Sequence, residues 1–246
     1  MSRLSVILIV RNEASRLAAT LAAVRFADEI VVVDSGSTDE TVAIARRHAD
    51  TVIETTDWPG FGAQKNRALD AATGDWVLSI DADETVTPAL AEEIRAVLAA
   101  PRHEVYALPR LSSFLGRPMR HGGWWPDYVP RLFRRGAARF SDDLVHERLV
   151  FEGPHGRLSV PLQHESIRDL DQMIDKMNHY THAGAERLRR AGRQGSLRAA
   201  IGHGLWAFVR VYLLRRGFLD GREGFIMAVS SAESAYYRYL KRAYGA

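Results

Sequence analysis

The chain has 246 residues, 46% hydrophobic and 26% charged, which excludes disordered and collagen-like classes and allows one substantial core with an appendage. Its formal net charge is +3 and its isoelectric point about 9.3, carried mostly by arginine, whose planar fork donates two hydrogen bonds to one anion and so suits phosphate or phospholipid headgroups. The absence of cysteine removes disulfides and thiolate metal sites and fits a cytoplasmic setting; Met1 to Arg11 lacks a signal-peptide pattern, and no run approaches the roughly 18 apolar residues of a membrane span.

The first hundred residues alternate strand and helix signals. Leu4–Val10 (LSVILIV) is a continuous apolar run, the pattern of a strand buried on both faces. Asn12 is expected to cap a helix carrying Leu17, Leu21 and Val24. Glu29–Val33 is the second strand, and Ser37 with Glu40 forms a capping box opening a helix to about His48. Thr51–Glu54 is a third strand, 62–72 a helix, and 76–80 (WVLSI) a fourth strand ending on Asp81. Thr87 caps the next helix, with Pro88 at its first position, running to about Ala99. From about Glu104 to Gln163, short strand-like pieces separated by Gly and Pro indicate an antiparallel extension with long loops. From about Asp169 the chain is helical again, and 187–222 is rich in arginine.

Strands alternating with helices predict a doubly wound parallel sheet, which binds ligands at the carboxyl ends of its strands. Asn12, Asp34 and Asp81 each fall just past a strand. The strongest local signal is 78–85 (LSIDADET): Asp81 and Asp83, one residue apart at the mouth of an apolar strand, offer oxygens to a hard cation such as Mg2+ or Mn2+, with a diphosphate as the natural remaining ligand. The bland alternative makes Asp81 a strand cap and Glu84 the start of a turn. The second signal is 31–41 (VVVDSGSTDET), a strand, small residues and a helix that shape a pocket for a base and a ribose, with Asp34 as hydrogen-bond acceptor; a generic strand–turn–helix connection competes with it. No G-x-G-x-x-G is present, which disfavours a dehydrogenase.

The blocks SVILIVRNEA, VVVDSGSTDET and GAQKNRALDAATGDWVLSIDADE, in that order, resemble the inverting family 2 glycosyltransferases over roughly residues 4–165. The resemblance implies an α/β fold of the GT-A type, a Rossmann-like nucleotide-sugar-binding fold with a mostly parallel central sheet, over residues 1–165. Residues 1–100 would be its nucleotide-binding half and 101–165 its acceptor half, with a helical C-terminal extension over 166–246. It also implies that Asn12, Glu13 and Asp34 line the nucleotide pocket, that Lys65 and Asn66 lie near base, ribose or diphosphate, and that Asp81 and Asp83 form the metal-and-ribose motif. More narrowly, TTDWPGFGAQKN, GGWWPDYVPRLFRR, VHERL and RRGFLDGREGF are similar to bacterial lipopolysaccharide core-biosynthesis glycosyltransferases, of the subgroup that adds glucose from UDP-glucose to an inner-core heptose. The expected partners are therefore a UDP-sugar donor and a glycolipid acceptor, with no nucleic acid.

An inverting transfer needs a base for the acceptor hydroxyl. Glu147 in LVHERL is the first choice, with Asp142 and Asp143 behind it, although the family's commoner Glu-Asp pair is absent; a strand-end ion pair of Glu147 with Arg148 or Arg131 competes. His164 is a candidate additional metal ligand beside Asp81 and Asp83, against the commoner structural histidine. Arg131 and Arg134 are candidate diphosphate or acceptor contacts, against a solvated strand face. Trp124 and Trp125, after two glycines, and Trp58 offer faces for a sugar ring, against core packing. Residues 205–218 (LWAFVRVYLLRRGF) mix apolar and arginine side chains as a helix on an anionic bilayer does, which would place the chain peripherally on the cytoplasmic face of the inner membrane; packing on the catalytic domain or in a dimer competes. Two other readings remain: a haloacid-dehalogenase-like phosphatase with Asp81 as nucleophile, disfavoured because its motif opens the first strand, and a non-catalytic nucleotide-sugar-binding protein, disfavoured by the retained carboxylates.

Overall fold

A computed structural model describes residues 2–141 and 147–245. The chain divides into two compact units, Met1–Arg110 with Asp127–His164, and Leu111–Pro126 with Glu165–Ala246.

The first unit is built on β1 (Leu4–Val10), β2 (Glu29–Asp34), β3 (Thr51–Glu54) and β4 (Trp76–Ser79), interleaved with α1 (Ala14–Ala23), α2 (Thr41–His48) and α3 (Phe61–Ala71). A short β5 (Glu84–Thr85) and α4 (Pro88–Ala99) follow, then β6 (Val105–Phe114). After β7 (Arg117–Pro118) come β8 (Asp127–Arg134), β9 (Ala138–Phe140), β10 (Leu149–Phe151), β11 (Gly156–Arg157) and β12 (Leu162–Ile167). The sheet runs β3-β2-β1-β4-β8-β6-β12-β5; β3, β2, β1 and β4 are parallel, and β8 lies antiparallel to both β4 and β6. A two-stranded ladder joins β9 to β10.

The apolar run of β1 is buried on both faces for the reason its pattern predicts. Leu4, Val6, Leu8 and Val10 enter one core with Leu17 and Leu21 of α1 and Leu90 and Ile94 of α4. Ile7 points the other way, to a second core with Ala68 and Leu69 of α3 and Phe133 of β8. The parallel register sets Val10 beside Asp34, and Ile7 beside Ser79. The segments that follow β1, β2 and β4 therefore share one edge of the sheet.

Thr87 caps α4 as the sequence predicts, accepting the Leu90 N–H at 3.2 Å with Pro88 in the first turn, and Asp169 caps the helix after it. Two other expected caps do not form. Asn12 has φ +55° and uses its Oδ1 to accept the Thr38 N–H at 2.8 Å, while the first residue of α1, Ala14, donates to Asp39 at 3.2 Å. The Ser37–Glu40 box is also absent: α2 starts at Thr41 without a side-chain cap bond, and Ser37 Oγ accepts the Asn12 N–H at 2.9 Å and donates to Asp34. The two loops cap and brace each other, so a local rule reads the right residues with the wrong partners.

The second unit holds β7, α5 (Leu170–Arg190), α6 (Leu197–Phe208), a π-helical turn (Val209–Leu214), a 3-10 turn (Gly217–Asp220) and α7 (Gly221–Tyr244). Its core contains Phe114, Met119, Met173, Val211, Met227 and Ala228. Buried Asp220 accepts the Arg120 and His121 N–H groups at 3.1 and 2.7 Å, tying the 111–126 segment to the helices. Gly122 sits at φ +66°, a backbone conformation that favours glycine, and its missing Cβ leaves room for the Met227 methyl. Among the described residues, no helix is long and apolar enough to cross a membrane.

Candidate active site

After β4 the chain turns at Asp81, whose N–H donates to Glu84 Oε2 at 3.0 Å while its carbonyl accepts the Glu84 N–H at 3.0 Å. Antiparallel pairing of β8 with β4, in the register Leu78 to Leu132, sets Arg131 beside this turn. Its guanidinium donates to Asp81 Oδ2 at 2.5 Å and to Glu84 Oε1 at 2.6 Å. Lys65, projecting from α3, stands 3.0 Å from Asp81 Oδ1 and 3.0 Å from Glu147 Oε1. One chain of alternating charges thus runs Glu84, Arg131, Asp81, Lys65, Glu147.

Burial pushes the Asp81 carboxyl up, but the charges of Arg131 and Lys65 outweigh it and hold the group well below the ordinary range. Glu84 shifts the other way: complete burial, helped by the charge of Asp81, raises it against the pull of Arg131. Arg131 is itself raised, because its two carboxylates outweigh burial.

Asp83 lies outside that chain. Its Oδ2 is 3.5 Å from His164 Nε2 on β12 and 3.9 Å from Arg16 on α1. The antiparallel pairing of β12 with β5, which sets His164 opposite Glu84, brings the histidine here. Burial raises the Asp83 carboxyl, and the hydrogen bond and charge of His164 bring it below the ordinary value on balance. Among the described residues, no group of three or more His, Asp or Glu is arranged to hold a metal ion. The Asp83–His164 pair is an oxygen-plus-nitrogen donor set of the kind that Mn2+ or Mg2+ accepts when substrate oxygens complete the shell, so these residues fit a divalent cation. Asp81 has both carboxylate oxygens on cations instead.

The other sequence-predicted residues take several positions. Asp34 is buried and accepts the Gly36 and Ser37 N–H groups at 3.0 and 2.9 Å, shaping the loop after β2. Asn12 braces that loop, and Glu13 pairs with Arg16 at 2.9 Å. Asn66 exchanges two 3.0 Å hydrogen bonds with the Phe140 backbone, fastening α3 to β9. Trp58 packs edge-on against Phe61 at 4.8 Å and is largely exposed. Arg134 is exposed, 3.7 Å from Glu104. Trp124, edge-on to Phe114 at 6.0 Å, joins the core of the second unit, and Trp125 carries the Arg120 guanidinium 5.6 Å from its ring centre. Asp142 and Asp143 lie outside the described residues.

Two participants, Arg16 and Gln64, do not stand out in the sequence, and Glu84 figures there only as the start of a turn, where it does bond Asp81. Arg16 reads as one polar residue of an amphipathic helix. Gln64 is fully buried and donates to Ser35 Oγ at 3.1 Å and Thr55 Oγ1 at 2.8 Å. A buried amide next to Lys65 carries no sequence signal beyond its neighbours.

A model of Glycosyl transferase family 2 matches residues 5–151. The lipopolysaccharide core biosynthesis glycosyltransferase LpsC of Rhizobium meliloti is 31% identical, over 97% of this chain and 91% of its own length. An uncharacterized glycosyltransferase of Rickettsia felis is 30% identical, over 98% of this chain and 89% of its own. Among solved structures, S. aureus TarS 1-349 in complex with UDP-GlcNAc aligns with a TM-score of 0.52 at 17% identity, over 95% of this chain and 81% of that one. The mannosyltransferase PcManGT of Pyrobaculum calidifontis, in complex with GDP-Man and Mn2+, aligns with a TM-score of 0.51 at 19% identity, over 95% and 74%. These structures share the α/β architecture, and the family match covers more than half of the chain together with the Asp81–Asp83 turn. The chain belongs to glycosyltransferase family 2, hexosyltransferases of the GT-A fold.

Proposed function

We propose that this enzyme moves a hexose, glucose in the favoured case, from a UDP-sugar to an inner-core heptose of lipopolysaccharide or a similar glycolipid. The transfer inverts the anomeric centre, uses Mn2+ or Mg2+, and takes place at the cytoplasmic face of the inner membrane. The observation that carries this reading is the meeting of Asp83 with His164 on one side of the β4 turn and Glu147 with Lys65 on the other. The likeness to LpsC supports the acceptor class, and the likeness to structures holding nucleotide sugars supports the donor class.

Asp83 and His164 would hold the divalent cation, which when bound neutralises charge developing on the diphosphate. Glu147 takes the proton from the acceptor hydroxyl as that oxygen bonds to the anomeric carbon, and the bond to the diphosphate oxygen breaks. Lys65 positions the Glu147 carboxylate through their ion pair. Arg131 and Glu84 hold Asp81 in one orientation at the turn, where it orders the segment carrying Asp83. The Asn12 and Asp34 loops, at the same edge of the sheet, form the nucleoside side of the donor pocket. The phosphatase alternative needs Asp81 as an open nucleophile, and both of its oxygens face cations.

The test is release of UDP by the purified full chain with Mn2+, a panel of UDP-sugars and a lipid-linked heptose acceptor. Acceptor-dependent release from one UDP-sugar is expected, with an inverted product linkage by NMR. No release from any UDP-sugar would overturn the donor reading, and release without dependence on the glycolipid would overturn the acceptor reading.

A further inference from the structure

Helix α6 reverses the usual order of a surface helix. Its buried positions are the small residues Ala200, Gly204 and Ala207. A Cβ at Gly204 would lie 3.3 Å from the Ala232 carbonyl oxygen of α7, so small side chains let the two helices approach. The large apolar residues are left outside. Leu197, Ile201 and Leu205, spaced by four on one stripe, are 48%, 47% and 66% exposed, and Trp206 is 55% exposed. The strip continues beyond α6, because Phe208 meets Phe225 at 5.8 Å between ring centres, and Tyr212 meets Phe225 at 5.5 Å and Phe218 at 6.1 Å. Phe218, Phe225, Leu213, Leu214 and Leu219 are all exposed. A continuous apolar surface of this kind marks a docking face rather than scattered surface leucines.

Charge decides what covers it. Arg198, Arg210, Arg215, Arg216 and Arg222 are exposed within the same stretch. Its two acids are engaged within the unit: Asp220 holds Arg120 and His121, and Glu223 lies 3.6 Å from Arg117. A second copy meeting this face symmetrically would set arginines against arginines. We infer that the surface formed by α6, the two turns after it and the start of α7 docks on an anionic bilayer. Its leucines and aromatics enter the boundary between headgroups and acyl chains, and its arginines bind lipid phosphates. The inference rests on the glycolipid-acceptor reading for its purpose, since docking would hold the enzyme where a lipid-linked sugar is presented.

The experiment is flotation of the full chain with phosphatidylglycerol-containing or pure phosphatidylcholine vesicles, alongside sedimentation velocity without lipid. The chain is expected to float with the anionic vesicles only. The exposed double variant Ile201→Asp/Leu205→Asp should lower vesicle partition about a hundredfold, and Arg198→Gln/Arg210→Gln about tenfold. Both variants should release UDP from the UDP-sugar at the wild-type rate when the acceptor is dispersed in detergent. Wild-type protein remaining in the lipid-free fraction, or flotation unchanged in Ile201→Asp/Leu205→Asp, would overturn the inference. A lipid-free dimer that Ile201→Asp/Leu205→Asp dissociates, without vesicle binding, would overturn it in favour of self-association. Flotation without UDP release from any UDP-sugar would instead count against the transferase reading alone.

Discussion

Asp81 and Asp83 stand one residue apart and do different work. Asp81 faces two cations, Lys65 and Arg131, whereas Asp83 faces His164 and, farther away, Arg16. Asp83→Ala should therefore lower UDP release about 10²–10³-fold while the unfolding midpoint stays near the wild-type value, read by thermal denaturation. Glu147→Gln should lower transfer about 10²–10⁴-fold and leave the thermal shift produced by the donor intact, because a base acts on the acceptor and not on donor affinity. Arg131→Met leaves the fully buried Glu84 without its cation and the part-exposed Asp81 with Lys65 alone, which costs about 3 kcal/mol. The pH dependence has a sign: because the folded-state value of Asp81 is depressed, its contribution is fully present above the ordinary 3.8 and is lost as pH falls below it. Glu84, raised by burial, contributes in the opposite sense, its share being lost as pH rises past the ordinary 4.5. The stability gap between wild type and Arg131→Met should thus narrow below 3.8, as denaturant melts across acid pH will show.

Strands and helices were the most legible level. The residues of β1 and β3 and the cap of α4 follow directly from apolar runs and from Thr87-Pro88, because each signal lies within its own element. The caps of α1 and α2 were misread because Asn12, Ser37 and Asp39 are polar neighbours across two loops, and only the parallel register of β1 and β2 chooses among them. Helix α3 shows a tertiary demand hidden in an ordinary helical sequence. A Cβ at Gly62 would lie 1.8 Å from the Ser141 carbonyl oxygen and 3.5 Å from Glu147 Cβ. Gly62→Ala should cost about 1–3 kcal/mol through overpacking and lower kcat by separating Lys65 from Glu147. Equilibrium unfolding and UDP release, measured together, check both effects.

At the scale of the molecule, composition pointed to anionic partners, and the structure distributes that tendency over two units. In the first unit, Arg131 and Lys65 are bound to carboxylates, so they add little to an external field. In the second, exposed arginines border an apolar strip, and vesicle partition should fall several-fold as salt rises toward about 0.5 M, where the Debye length is only a few ångströms; flotation across a salt series measures this. The sequence by itself determined the α/β alternation, the edge of the sheet where Asn12, Asp34 and Asp81 emerge, and the family resemblance, because those depend on local periodicity and on residues near one another in the chain. Tertiary structure alone decided that Arg131 joins Asp81 to Glu84, that His164 meets Asp83, and that α6 turns its leucines outward. The physical reason is common to all three: a buried charge or an apolar face takes its role from whatever packs against it, and those partners come from distant strands and helices.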